Sequence, residues 1–141
     1  MMGKAAVLVS CIILLAQGSA FAHEGETHGT KHHDAQMVKL HKMMPMYAQL
    51  QAKINGALGR GDAATVEIEA GKILATIPDL KKAKPHKNLK KIGTFRNMAD
   101  AFGLGVTTSA TLAKRGDIAG AAAAFRKAEE KCNECHATFR D

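Results

Sequence analysis

The stretch LAKRGDIAGAAAAFRKAEEKCNECHATFRD, residues 112–141, decides how this chain folds. Lys114-Arg115-Gly116-Asp117 ends one apolar pattern and starts another. Glycine permits the left-handed residue that closes a helix, and aspartate accepts from the free N–H groups of the next one. Arg115-Gly116-Asp117 therefore reads as turn chemistry rather than as an adhesion signal. From Ile118 onward Ala121, Phe125, Ala128, Cys132, Cys135 and Phe139 recur at three- and four-residue intervals. That spacing predicts a helix from Ile118 to about Arg140, and the alanine run 121–124 has the strongest helix propensity in the chain.

The same device occurs upstream as Gly59-Arg60-Gly61-Asp62. Before it, Leu40, Met43, Tyr47, Leu50, Ile54 and Ala57 mark a first amphipathic helix. Pro45 falls inside this pattern and should kink the helix or mark a later start. Asp62 caps a second helix through Ile77, with Pro78 as its stop. Residues 78–87, PDLKKAKPHK, form the longest connection and are expected to be irregular. A third helix runs from about Asn88 to Ala113 with an apolar stripe of Ile92, Phe95, Met98, Phe102, Val106 and Leu112. Gly93, Gly103 and Gly105 each weaken it by about 1 kcal/mol relative to alanine. Either the backbone approaches another helix or a bulky ligand there, or the segment is mobile. No segment alternates as a strand would. The expected fold is all-α, an antiparallel four-helix bundle running up-down-up-down.

The first residues fit a different role. Lys4, the apolar run from Ala5 to Ala16 and Ala20-Phe21-Ala22 have the layout of a secretory signal peptide, cleaved after Ala22. The rival is a lipoprotein signal at Leu8-Val9-Ser10-Cys11, which would leave an apolar run at the mature end. The expected organisation is a signal at 1–22, a His-rich leader at 23–35 and a helical domain at 36–141, exported to the periplasm with no transmembrane segment. In the leader, His23, His28, His32 and His33 could bind copper or zinc, although their spacing is irregular. After cleavage, 19 Lys and Arg face 13 Asp and Glu, a formal charge of +6. That reads as a solvated surface, and no motif points to nucleic acid. The chain has no Trp, one Tyr and five Phe. Leu, Ile, Val, Met and Ala must fill the core unless something else large and apolar does.

Cys132-Asn133-Glu134-Cys135-His136 is C-x-x-C-H, the attachment signature of c-type haem. On a helix, positions i, i+3 and i+4 share a face. Two thiols can then reach the two vinyl groups of one porphyrin edge, and the imidazole can bind the iron axially. A redox disulfide is the first alternative, but it belongs in a β-α-β setting. A zinc site is the second, and it lacks a second pair of ligands at regular spacing; only His86 and the leader histidines remain. A simple disulfide is the third. A haem would also remedy the shortage of aromatic side chains.

With C-x-x-C-H in the last helix followed by Ala137-Thr138-Phe139-Arg140, the chain resembles the cytochrome c′ family and its low-spin Met-ligated relatives. Cys132 to Arg140 matches the family's closing pattern, C-x-x-C-H-x-x-[FY]-R; the likeness over 36–141 is otherwise one of pattern. The resemblance implies one covalent haem c, held by Cys132 and Cys135 with His136 as proximal ligand. It further implies either a vacant sixth position that takes nitric oxide or other small gases, or a first-helix methionine there. Met43 and Met44 are the candidates; family spacing points nearer Pro45, and His41 is a further possibility. Pro45 departs from the family's usual helical residue. Arg140 would neutralise charge near the haem or the helix end. Pairing through the first two helices, as a homodimer, is also implied.

The leading expectation is a one-electron carrier, a monohaem cytochrome meeting redox partner proteins in the periplasm. Methionine ligation would raise its potential relative to histidine. No acid–base pair or nucleophile suggests an enzyme. The alternatives are a five-coordinate gas-binding protein and a non-haem metal-binding helical protein.

Overall fold

Gly61 (φ 71°) and Gly116 (φ 84°) sit in the left-handed region and reverse the chain at two tight turns. The turns share one hydrogen-bond scheme. Gly61 N–H donates to Leu58 O at 3.2 Å and Asp62 N–H to Ala57 O at 2.9 Å; Gly116 N–H donates to Ala113 O at 2.9 Å and Asp117 N–H to Leu112 O at 3.0 Å. Each pair satisfies two carbonyls that a helix end otherwise leaves unpaired. The aspartate then caps the next helix. Asp62 accepts from Thr65 N–H at 3.0 Å and Asp117 from Gly120 N–H at 2.8 Å.

The computed structural model describes residues 35–140, which hold five α-helices, one 3-10 turn and no strand. The helices are α1 (Ala35–Arg60), α2 (Ala63–Leu74), α3 (Ile77–Lys82), α4 (Ile92–Lys114) and α5 (Ile118–Phe139). The expected signal peptide, Cys11 and the leader histidines lie outside the described residues. No described helix is long and apolar enough to cross a membrane.

Three sequence expectations change. Pro45 lies within α1, which begins well before it, so the proline does not mark the helix start. Pro45 is exposed. Pro78 does not stop α2, which already ends at Leu74; it opens α3 in the first turn, where a missing N–H costs nothing. Thus the first part of 78–87 is helical. Asn88, at φ 57°, breaks the chain before the 3-10 turn Leu89–Lys91, and α4 proper starts at Ile92.

The four long helices pack into one bundle, α1 on α2, α2 on α4, α4 on α5 and α5 on α1. Cross-links fix their directions. Lys114 reaches Glu67 at 3.5 Å while Ile77, farther along the chain, packs on Gly103, so α2 and α4 run antiparallel. Asn55 donates to Glu129 at 2.7 Å, and one turn earlier in α1 Gln51 meets Cys132, so α1 and α5 are antiparallel too. The core is built from Ile54, Val66, Ile73, Val106 and Phe125, all wholly buried. Burying each such side chain contributes roughly 1.5–3 kcal/mol.

The glycines of α4 divide. A Cβ on Gly105 would lie 2.8 Å from Ala128 Cβ and 3.2 Å from its Cα, and one on Gly103 would meet Ile77 at 3.3 Å. Close approach explains both. Gly93 faces open space, so close approach does not account for it.

Candidate cofactor site

One turn beyond Ala128, α5 presents Cys132, then Cys135 and His136. All three are half-buried and line one cavity of about 440 Å³, inside the ~300–1,000 Å³ range of small-molecule and cofactor sites. Its walls are mainly apolar. α4 contributes Phe95, Met98, Ala99 and Phe102; α1 contributes Leu40, Met44, Tyr47 and Ala48; Phe139 closes the α5 side. Leu80, Pro85 and His86 form part of the rim. The aromatic rings brace one another. Phe95 and Phe139 meet edge-on at 5.4 Å between centroids, and Tyr47 and Phe102 at 5.6 Å. The Tyr47 hydroxyl is paired with Thr76 Oγ1 at 2.8 Å, and burial raises its pKa.

The two cysteines are free thiols. Burial pushes Cys132 up to about 11, against the opposing hydrogen bond from Gln51 Nε2 to its Sγ at 3.4 Å. Burial raises Cys135 as well. Both thiols are thus held protonated in a largely apolar wall. His136 is lowered, first by burial and then by the Arg140 guanidinium, which keeps its imidazole neutral and able to ligate. Arg140 itself lies at the cavity rim as the C-cap of α5, with its N–H donating to His136 O at 3.1 Å.

Of the first-helix candidates, Met44 lines the cavity opposite α5; Met43 is buried in the bundle core and does not. Antiparallel register explains the placement. Gln51 lies level with Cys132, so Ala48 and Met44, earlier in α1, lie toward the end of α5. His41 and Pro45 also border the cavity, but His41 Nε2 lies 2.9 Å from His86 Nε2, engaged across the rim. That histidine pair, separated by 45 residues, escaped the sequence reading, as did the Gln51–Cys132 contact. No short-range pattern could have signalled either.

Among the described residues no group of three or more His, Cys, Asp or Glu side chains is arranged to hold a bare metal ion. The donor set is two thiols, one neutral imidazole and one thioether around an apolar slot. It fits a haem. No protein-family model, no curated protein and no solved structure matches the chain.

Proposed function

We propose that this protein is a monohaem c-type cytochrome, exported to the periplasm, that carries single electrons between partner proteins. One observation carries the reading: Cys132, Cys135 and His136 line a largely apolar cavity that Met44 of α1 also lines. Cys132 and Cys135 would hold the porphyrin through thioether bonds, and His136 and Met44 would be the ligands to its iron. When bound, the haem supplies reversible one-electron chemistry at its iron.

The chain's own residues support that role in separate ways. Phe95, Phe102, Phe139 and Leu40 make the cavity wall largely apolar, which would raise the cost of charge on a group bound there. The Gln51 amide, hydrogen-bonded to Cys132, holds the first thiol's turn against α1. Arg140 discourages protonation of His136 and leaves its nitrogen lone pair available.

A second reading draws on Leu40 and Ala48, apolar on the same wall as Met44. Should these alone shield the sixth position, the protein binds small gases such as nitric oxide. Spectra of protein exported with c-type maturation separate the two. A low-spin ferric spectrum with a weak sulfur-to-iron charge-transfer band supports electron carriage. A high-spin spectrum that changes promptly with nitric oxide supports gas binding. Colour that washes out in acidified organic solvent would sink both.

A further inference from the structure

Positive charge is concentrated at one place. Between Leu80 and Ala99 the chain has seven Lys and Arg and no Asp or Glu; the remaining described residues hold eleven basic against nine acidic. Lys82, Lys84, Lys87, Lys90, Lys91 and Arg96 are all exposed. The strap that carries most of them is held in place. Lys87 N–H donates to Phe139 O at 3.2 Å and the Asn88 side-chain amide to Thr138 O at 2.6 Å, tying the strap to the last turn of α5. Within it, Ala83 and Pro85 are buried. At its centre Leu89 is 57% exposed, one of three large apolar side chains so placed among the described residues. Pro85 and His86 belong both to the strap and to the lining of the cavity, which also includes Lys131 and Arg140.

We propose that the strap of residues 81–91, with Leu89 as its apolar anchor, is the surface on which the acidic face of a partner protein docks, seated over the cavity rim. An anchored cluster of lysines around one exposed leucine has the make-up of an interface: an apolar contact at the centre and charge at the edge. The charge steers an acidic partner and orients it, since fields of this kind raise association rates by roughly ten- to a thousandfold. An anionic lipid surface is the weaker match. Leu89 stands alone on a three-residue 3-10 turn, and a segment that lies in lipid presents a continuous apolar face. The proposal rests on the cytochrome reading for why docking belongs at this rim: an electron carrier must bring its partner close to the cofactor edge.

The test compares holoprotein with two triple variants of equal charge change, K82E/K90E/K91E in the strap and R115E/R126E/K127E elsewhere, all exposed positions. Binding of fluorescein-labelled poly-L-glutamate is read by anisotropy at low ionic strength, and oxidation of the reduced protein by hexacyanoferrate(III) by stopped flow. The strap variant should weaken binding and slow oxidation by about tenfold or more, with the control changing each by less than about threefold and K82Q/K90Q/K91Q falling between. Equal effects from both triple variants, or none from the strap variant, would overturn the proposal. So would wild-type binding to phosphatidylglycerol vesicles that depends on the strap and exceeds binding to poly-L-glutamate. A colourless sample would overturn the cytochrome reading alone, because the anisotropy arm needs no haem.

Discussion

Replacing Gly105 by alanine adds one methyl group at the closest approach of α4 and α5. The new Cβ would lie 2.8 Å from Ala128 Cβ, whereas comfortable carbon contacts lie at about 3.5–4.0 Å. The obstruction includes backbone, with Ala128 Cα at 3.2 Å, so a rotamer change cannot relieve it. The helices must part locally by roughly 1 Å, at an overpacking cost of about 1–3 kcal/mol. Alanine recovers about 1 kcal/mol of helix propensity over glycine. Gly93→Ala on the same helix meets nothing within 4 Å and gains up to that propensity term. The two substitutions should therefore differ by the overpacking term, about 1–3 kcal/mol. Urea unfolding followed by far-UV circular dichroism reads this as a midpoint difference on the order of 1 M, since urea slopes run about 1–3 kcal/mol/M. Adding Ala128→Gly to Gly105→Ala should restore part of the loss. If Gly105→Ala is as stable as Gly93→Ala, the α4–α5 contact is not as close as described and the argument fails.

Met44→Ala should convert a low-spin haem to high spin in the ferric absorption spectrum with little change in unfolding midpoint. Met43→Ala should do the reverse, leaving the spectrum alone and costing about 2–5 kcal/mol as a core cavity; a spectral change at Met43 only would reverse the ligand assignment. Replacing both Cys132 and Cys135 by alanine should abolish pigment that survives acidified organic solvent, while the circular dichroism remains helical. Asp117→Ala should cost about 0.5–2 kcal/mol through loss of the cap on α5, measured by thermal unfolding. Hydrogen bonds from Thr65 hold the Asp62 carboxyl below its usual pKa, and a hydrogen bond from Lys72 and one from Lys39 do the same for Glu69 and Asp79. Each folded-state pKa lies below its unfolded value, so these contributions are complete above the ordinary carboxylate range and vanish as pH falls through the depressed values. Burial lowers the His136 pKa, so thermal midpoints should already slip as pH falls through the ordinary histidine range, and the three carboxylates should extend the decline below roughly pH 5; a midpoint that holds level from about pH 5 to about pH 3 would contradict the carboxylate assignment.

The sequence reading reached what is encoded locally. The paired Gly-Asp turns and the i, i+3, i+4 spacing of Cys132, Cys135 and His136 need only neighbouring residues, and they delimit the long helices to within a few positions. Pro78 misled because the same missing N–H that stops one helix is harmless in the first turn of the next. What the glycines of α4 do depends on Ile77 and Ala128, side chains from other elements, so no reading of α4 alone could separate Gly105 from Gly93. Met43 and Met44 are adjacent on a broad apolar arc; the side each faces is decided by how α1 is rotated against α5, which the pattern along α1 does not specify. The His41–His86 contact depends on where the 83–88 connection crosses the bundle, and that follows from packing rather than periodicity.

The bundle is unevenly cemented. α4 and α5 touch backbone to side chain at Gly105 and Ala128, whereas α1 meets α5 through little more than the Asn55–Glu129 and Gln51–Cys132 bonds. A bulky planar guest tethered to α5 can thus be admitted like a page into a book. The α4–α5 spine stays bound, and the bundle parts at the α1–α5 seam while α2 keeps its packing on α4. Opening there would ask only for hinging and not for unfolding.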